Sequence, residues 1–304
     1  ATDLAPPDKR PRVVALLYVM LLVGMLVSSI GFGALLADFG QIKLIQVIQA
    51  AALITIGLNI LALWKQEVRD PSRTRHDESQ PDFISAWRSF SHEPSHRRIF
   101  IALGLGTAGF SMQDILLEPY GGQILNLSVS ATTILTAILA GGTLIGFAAA
   151  ARSLGRGGDT YRLAALGTLV GICAVSAVVF ADPLQSPNLF RIGAALIGFG
   201  GGLFSVGMLV AAMSLANKEN GGLVLGVWGA IQATAAGVAI ALGGTIRDVV
   251  TSLAEAGLLG PAMTGPSAGY SVVYHIEILL LFVTLIAVVK LVSNSERRSD
   301  KHEN

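Results

Sequence analysis

Charge is scarce in this chain. Only 13% of its 304 residues are Asp, Glu, Lys or Arg, and 52% are hydrophobic. An ordinary soluble domain carries about 25% charge, so a chain this apolar belongs in a bilayer. The net charge of +1 provides no global field, which excludes nucleic acid as a partner and gives no pointer to acidic substrates. The single cysteine, Cys173, lies in an apolar run. It excludes an intrachain disulfide and says little about compartment. Catalytic signatures are missing as well. GFGGG at 198–202 is not followed by the Lys-Ser/Thr of a nucleotide loop. No Ser/His/Asp set, metal-spaced Cys/His set or dinucleotide fingerprint is present. The chain reads as a non-enzyme with no metal cofactor of its own. No short apolar leader with a cleavage site opens it, and its first residue is Ala1 rather than Met. The front of a longer protein is expected to be missing.

What is present is a series of apolar runs. A helical span needs roughly 20 predominantly apolar residues. Eight runs satisfy this, at 13–36, 43–64, 99–118, 130–151, 162–181, 190–214, 222–245 and 270–292. The expectation is an all-α integral membrane protein of eight transmembrane helices. An even number puts both termini on one side. That side holds 18 of the 21 Lys and Arg residues, and Lys43, Arg191 and Arg247 fall on the other. Positive loops stay cytoplasmic, so both termini are expected there.

The loop at 65–98 is long, polar and mixed in charge. Two spans precede it and six follow. A long central cytoplasmic loop between two six-helix bundles is the plan of the major facilitator superfamily. On that plan residues 1–64 hold the last two spans of the first bundle, 65–97 the central loop, and 98–304 the six-helix second bundle with a cytoplasmic tail. The first four spans would be absent. Within the loop, Phe83, Trp87 and Phe90 recur at near-helical spacing behind Asp82, which suggests a capped helix on the membrane surface. Small-xxx-small pairs at Gly142/Gly146, Gly198/Gly202 and Gly222/Gly226 are read as packing seams.

Polar residues inside the apolar runs are the candidates for function, because each is costly in a bilayer. In SMQDILLEPYGGQIL (111–125), Asp114 and Glu118 stand four residues apart. On a continuous helix that spacing gives one face, and Pro119 to Gly122 are expected to break the helix just after it. Gln113 could join them only from a neighbouring face. The pair is either a structural contact with a neighbouring helix or a functional polar site. Tyr274, His275 and Glu277 form a second cluster in the first turns of the last span. His275 and Glu277 are about 200° apart around a helix and cannot share a face. In 222–245, Trp228 and Gln232 share a face. Gln232 is expected to make an interhelical hydrogen bond, and Trp228 to anchor at the interface.

Four stretches together resemble the PucC family of photosynthetic bacteria: SMQDILLEPYGGQIL (111–125), RSLGRGGDTYRLAALG (152–167), GLVLGVWGAIQATAAGVAIALGGTIRD (222–248) and YSVVYHIEILLLFVTL (270–285). The resemblance implies a divergent branch of the major facilitator fold in the bacterial inner (intracytoplasmic) membrane. It implies a role in assembling light-harvesting antenna complexes, with bacteriochlorophyll as cargo. The implied partners are antenna polypeptides, bacteriochlorophyll or its synthesis enzymes, and the lipid bilayer. On that reading His275 is the candidate ligand for the magnesium of a chlorin, and Trp228 offers a surface on which a pigment could stack. Arg152 stands where the superfamily usually has an acidic residue, which speaks against ordinary transport gating. The competing reading is a proton-coupled small-molecule transporter, with a central cavity lined by Asp114 and Glu277. A prenyl-transferring synthase, which one family name suggests, would need an aspartate-rich motif for magnesium diphosphate, and none is present.

The charge asymmetry carries a direct expectation. Reporter domains fused after Asn126 and after Ser267 should both read as periplasmic, and a cytoplasmic signal at either position would overturn the eight-span arrangement.

Overall fold

The computed structural model describes residues 10–36, 40–64, 93–216, 221–261 and 263–303, and all regular structure in them is helical. The elements are α1 (Arg10–Leu35), α2 (Gln41–Leu63), α3 (Pro94–Ser111), α4 (Leu117–Gln123), α5 (Val129–Leu154), α6 (Thr160–Ala181), α7 (Pro187–Met213), α8 (Gly221–Glu255) and α9 (Ser267–Glu303). Six stretches are long and apolar enough to cross a membrane: α2, α5, α6, α7, α8 and Ser267–Ser293 of α9. The structure is therefore that of a helical membrane protein. The remaining two expected spans look different. In α1 the described apolar stretch is Val23–Leu35. The expected span at 99–118 is divided between α3 and α4. The expected surface helix around Phe83, Trp87 and Phe90 lies outside the described residues.

Helix ends follow local chemistry. Ser128 caps α5 by accepting from the Ala131 amide, and Ser186 caps α7 from Leu189, with Pro187 in the first turn. Asp159 caps α6 by accepting from Arg162 N at 2.7 Å. These side chains satisfy amides that the helix itself leaves unpaired. In RSLGRGGD the chain reverses through Gly157, whose φ of +85° favours glycine. Helix α8 has 35 residues, about 50 Å at 1.5 Å per residue. It therefore projects past a hydrocarbon core of about 30 Å.

The bundle is organised around α7. One of its faces meets α5, where a Cβ on Gly202 would stand 2.8 Å from the Thr143 carbonyl oxygen and one on Gly198 would strike the Leu139 carbonyl. Another face meets α6 through Gly193, Gly200 and Gly207, spaced by seven. Cβ atoms there would lie 2.8 Å from Val178 Cγ2, 2.7 Å from the Gly167 carbonyl and 2.8 Å from the Thr160 carbonyl. Lipid tails are as apolar as leucine, so such backbone-close packing holds membrane helices together. The seams expected at Gly142/Gly146 and Gly198/Gly202 are the α5–α7 contact. The one expected at Gly222/Gly226 is corrected: nothing lies within 4 Å of a Cβ at either position. The α6–α7 seam escaped the four-residue pattern because its repeat is seven.

Two apolar layers fill the rest. At one end Ile99, Phe100, Leu103, Met208, Val288 and Leu291 pack together. At the other, Met112, Tyr120, Val178, Phe190, Tyr270 and Tyr274 do so. Antiparallel α3 and α9 run through both layers. Helix α1 docks on α5, where the Ser130 hydroxyl donates to the Gly33 carbonyl at 2.9 Å. Helix α2 buries no residue, and most of its apolar residues are exposed.

The glycine seams predict opposite signs for one kind of substitution. Gly200→Ala should lower the thermal midpoint of the purified protein, at a cost of about 1–3 kcal/mol from overpacking. Gly226→Ala should leave it unchanged or raise it, since alanine is the better helix former by about 1 kcal/mol. Equal midpoints for the two variants would reject the seam.

Candidate functional site

The candidate polar site is built where the helical path breaks. Turns at 112–116 separate α3 from α4. Asp114 N bonds back to the Ser111 carbonyl and Leu116 N to the Gln113 carbonyl, both three residues away. Pro119 explains this. A proline has no N–H for the carbonyl four residues earlier, and its ring crowds that carbonyl. Here that carbonyl belongs to Ile115, inside the turns. Pro119 itself sits in the first turn of α4, where no donor is required. The break therefore precedes Pro119, and the expectation that residues 119–122 end the helix is corrected: they lie within α4.

The break also separates the two carboxylates. Asp114 lies in the turns and Glu118 in α4, so no continuous helix places them on one face. Glu118 Oε1 accepts from Thr136 Oγ1 of α5 at 2.7 Å. Asp114 instead acts electrostatically on Glu277 of α9. Both Asp114 and Glu118 are exposed at the protein surface.

Gln113 and Glu277 are buried, at 1% and 0% exposure. A Cβ on Gly109 would touch Leu280 and Leu281 across the α3–α9 contact. Gln113 follows in the turns just past α3, and Glu277 lies one turn back from Leu281 along α9. Gln113 Nε2 donates to the Phe110 carbonyl at 3.3 Å. Its Oε1, both Glu277 carboxyl oxygens and the Tyr274 hydroxyl are buried without a hydrogen-bond partner. That concentration is unusual, because nearly every buried polar atom in a folded protein finds one.

Next to it, α4 inserts Tyr120 among three rings. Its ring centroid lies 5.4 Å from Phe190, 5.3 Å from Tyr270 and 5.4 Å from Tyr274, the tyrosines edge-on. The Tyr120 hydroxyl donates to the Val178 carbonyl at 3.3 Å. Further toward the end of the bundle, Arg247 of α8 donates to Gln123 Oε1 at 2.6 Å and to the Tyr270 hydroxyl at 2.9 Å. Tyr270 in turn donates to Gln123 at 2.9 Å. Arg247 also pairs with Asp248 at 2.7 Å. This network ties α4, α8 and α9 together. Sequence reasoning missed Tyr120, Gln123, Arg247 and Tyr270. The available signal was that three of only five tyrosines stand at 120, 270 and 274.

The other candidates lie apart. His275 is exposed on the opposite side of α9 from Glu277, and its Nδ1 lies 2.7 Å from the Ser271 carbonyl oxygen. A carbonyl only accepts, so Nδ1 carries the hydrogen, and Nε2 of the neutral ring keeps its lone pair. Trp228 is buried at 7% exposure in the apolar layer with Ile99, Phe100 and Leu291. It is a core residue, not an interfacial anchor. Gln232 is half-buried, and no interhelical hydrogen bond to it forms among the described residues. Beside α3, α8 and α9 runs an apolar groove of about 680 Å³, lined by residues such as Met112, Val238, Ile246, Ile276 and Leu280.

The architecture is that of a helical membrane protein, and its fold has a counterpart among solved structures. The chain resembles the crystal structure of a bacterial homologue of the human lysosomal transporter Spinster, inward-facing and unoccupied. The TM-score is 0.57 at 16% identity, over 95% of this chain and 70% of that one. At sequence level the match is closer and more specific. Residues 1–296 match the PUCC protein family, and the chain belongs to it. It is 53% identical to Protein PucC of Rhodovulum sulfidophilum over 82% of this chain and 56% of that protein. It is 45% identical to Protein PucC of Cereibacter sphaeroides over 97% of this chain and 63% of that protein. The chain thus spans about three-fifths of the length of these relatives.

Tyr120 tests the site's architecture. Tyr120→Ala should destabilise by about 3–5 kcal/mol, as removal of a buried ring does. Tyr120→Phe should cost about 1 kcal/mol or less, since only one long hydrogen bond is lost. Denaturation midpoints of the two variants check this, and equal losses would shift the weight from the ring cluster to the hydroxyl.

Proposed function

We propose that this chain serves the assembly of bacterial light-harvesting antenna complexes in the inner (intracytoplasmic) membrane, and that it handles or delivers bacteriochlorophyll there. Family membership supports the reading, and the observation that carries it is the setting of His275. A histidine that ligates a metal usually donates its other ring N–H to a carbonyl or carboxylate, which fixes the tautomer. His275 has that arrangement, with Nε2 left to ligate the magnesium of a chlorin. Along the same side of α9 follow Leu279 at 60% exposure, Phe282 at 53% and Ile286 at 45%. At spacings of four, three and four, these residues form a lipid-facing apolar stripe. Such a stripe suits a pigment's apolar body or an antenna helix.

On this reading the protein is a non-enzyme with eight spans and both termini cytoplasmic. Helices α1 and α2 close a first bundle of the major facilitator type, and α3 to α9 make the second, with α3 and α4 together forming one span. The outward-facing α2 fits that division, since a first bundle would cover it. The second reading, a proton-coupled transporter, draws on the fold. It would be favoured by a cavity lined with Asp114 and Glu277, but neither residue lines the apolar groove.

His275→Leu in the full-length protein should remove co-purifying bacteriochlorophyll, read from the absorption spectrum, while leaving protein yield intact. A variant that carries as much pigment as the wild type would end the proposed role of His275. Uptake of a solute by vesicles containing the full-length protein would favour the transporter.

A further inference from the structure

On the inward side of α9, Glu277 has no role in the pigment reading. It is 0% exposed, and both of its carboxyl oxygens lack a partner. Gln113, in the turns just past α3, is buried as well; its amide donates to the Phe110 carbonyl and its Oε1 lacks a partner. One turn along α9 is the Tyr274 hydroxyl, also free and buried. Of the groups facing Glu277, Asp114 comes from the turns between α3 and α4. Tyr274 comes from α9 itself, with Tyr120 of α4 and Tyr270 behind it. The nearby cation on α8, Arg247, is turned to Asp248, Gln123 and Tyr270. Among the described residues no cation offsets Glu277.

Glu277 is therefore a buried carboxyl with neither oxygen paired. An isolated carboxylate in so apolar a place costs many kcal/mol, and such groups take up a proton instead.

A route to water exists as well. A polar pocket of about 190 Å³ lies at the end of the bundle where α9 begins. Asp182, Thr264, Ser267 and Ser271 are among its walls, with buried Tyr120 and Tyr274 at its floor. A water occupies about 30 Å³ of liquid, so several fit. Tyr274 thus borders the pocket on one side and Glu277, three residues on along the same helix face, on the other.

We propose that Glu277 is a proton-exchanging site, connected to the aqueous phase through Tyr274 and this pocket. On release, the carboxyl proton passes to the Tyr274 hydroxyl oxygen as the tyrosine's own proton passes to a pocket water. A carboxylate and a hydronium ion result, and Tyr274 ends unchanged. Uptake is the reverse. The site is independent of the pigment reading and would stand if His275 bound nothing.

Infrared spectroscopy of the full chain in lipid tests this. The wild type should show a protonated-carboxyl C=O band that is lost in Glu277→Gln, kept in Asp114→Asn, and diminished as pH is raised. In deuterated buffer the band should shift, and the shift should be slower in Tyr274→Phe. Three results would overturn the proposal. One is a wild-type spectrum with no such band at any pH. A second is a band that survives Glu277→Gln or never titrates. The third is a band abolished by sodium at constant pH, which would assign the oxygens to an alkali cation. A shift equally fast in Tyr274→Phe would overturn the route through Tyr274. The wild-type titration stands even where a variant fails to fold.

Discussion

Backbone-to-backbone contact along α7 is the constraint on which the bundle depends. In water, burying leucines would be enough to hold helices together. In a bilayer a leucine gains little by leaving lipid for protein, so helices must gain from close packing. Gly193, Gly200 and Gly207 admit α6, and Gly198 and Gly202 admit α5. With α7 wedged between those two helices, α9 packs against α6 and α3, and the two apolar layers close around them. Some of the chain's glycines thus stand where carbonyls and side chains would otherwise collide.

Within that frame one proline reorganises the polar chemistry. Pro119 leaves the Ile115 carbonyl without its helical donor, and the turns at 112–116 absorb the mismatch. The consequences spread over three helices. Glu118 turns to Thr136 on α5, Gln113 stays buried, and Tyr120 enters the ring cluster with Phe190, Tyr270 and Tyr274. Local backbone chemistry thereby decides which polar groups meet inside the membrane.

Helix α9 then separates two chemistries by rotation alone. His275 looks outward with its tautomer fixed by Ser271, and Glu277 looks inward among unpartnered oxygens. Two residues along a helix turn the side chain by about 200°, so an outward-facing imidazole and an enclosed carboxyl coexist within a single turn.

The sequence alone determined much of this. Apolar run length located α2, α5, α6, α7 and the membrane part of α9 to within a few residues, because a helix in lipid must satisfy its own backbone polar groups. Residue types and the α9 rotation were also legible, which is why Gln113, Asp114, His275 and Glu277 could be picked out. Partnership was not legible. The four-residue spacing of Asp114 and Glu118 implied a shared face only on a helix that Pro119 interrupts. Trp228 had the apolar body and polar tip of an interfacial anchor, yet it is buried beside Ile99 and Leu291. Gly222 and Gly226 had the small-xxx-small pattern, yet among the described residues no helix approaches them. The meetings of Arg247 with Gln123 and with Tyr270 were decided by tertiary structure alone. Each joins residues more than 20 positions apart, and only the register and rotation of packed helices fix which of many possible pairs meet.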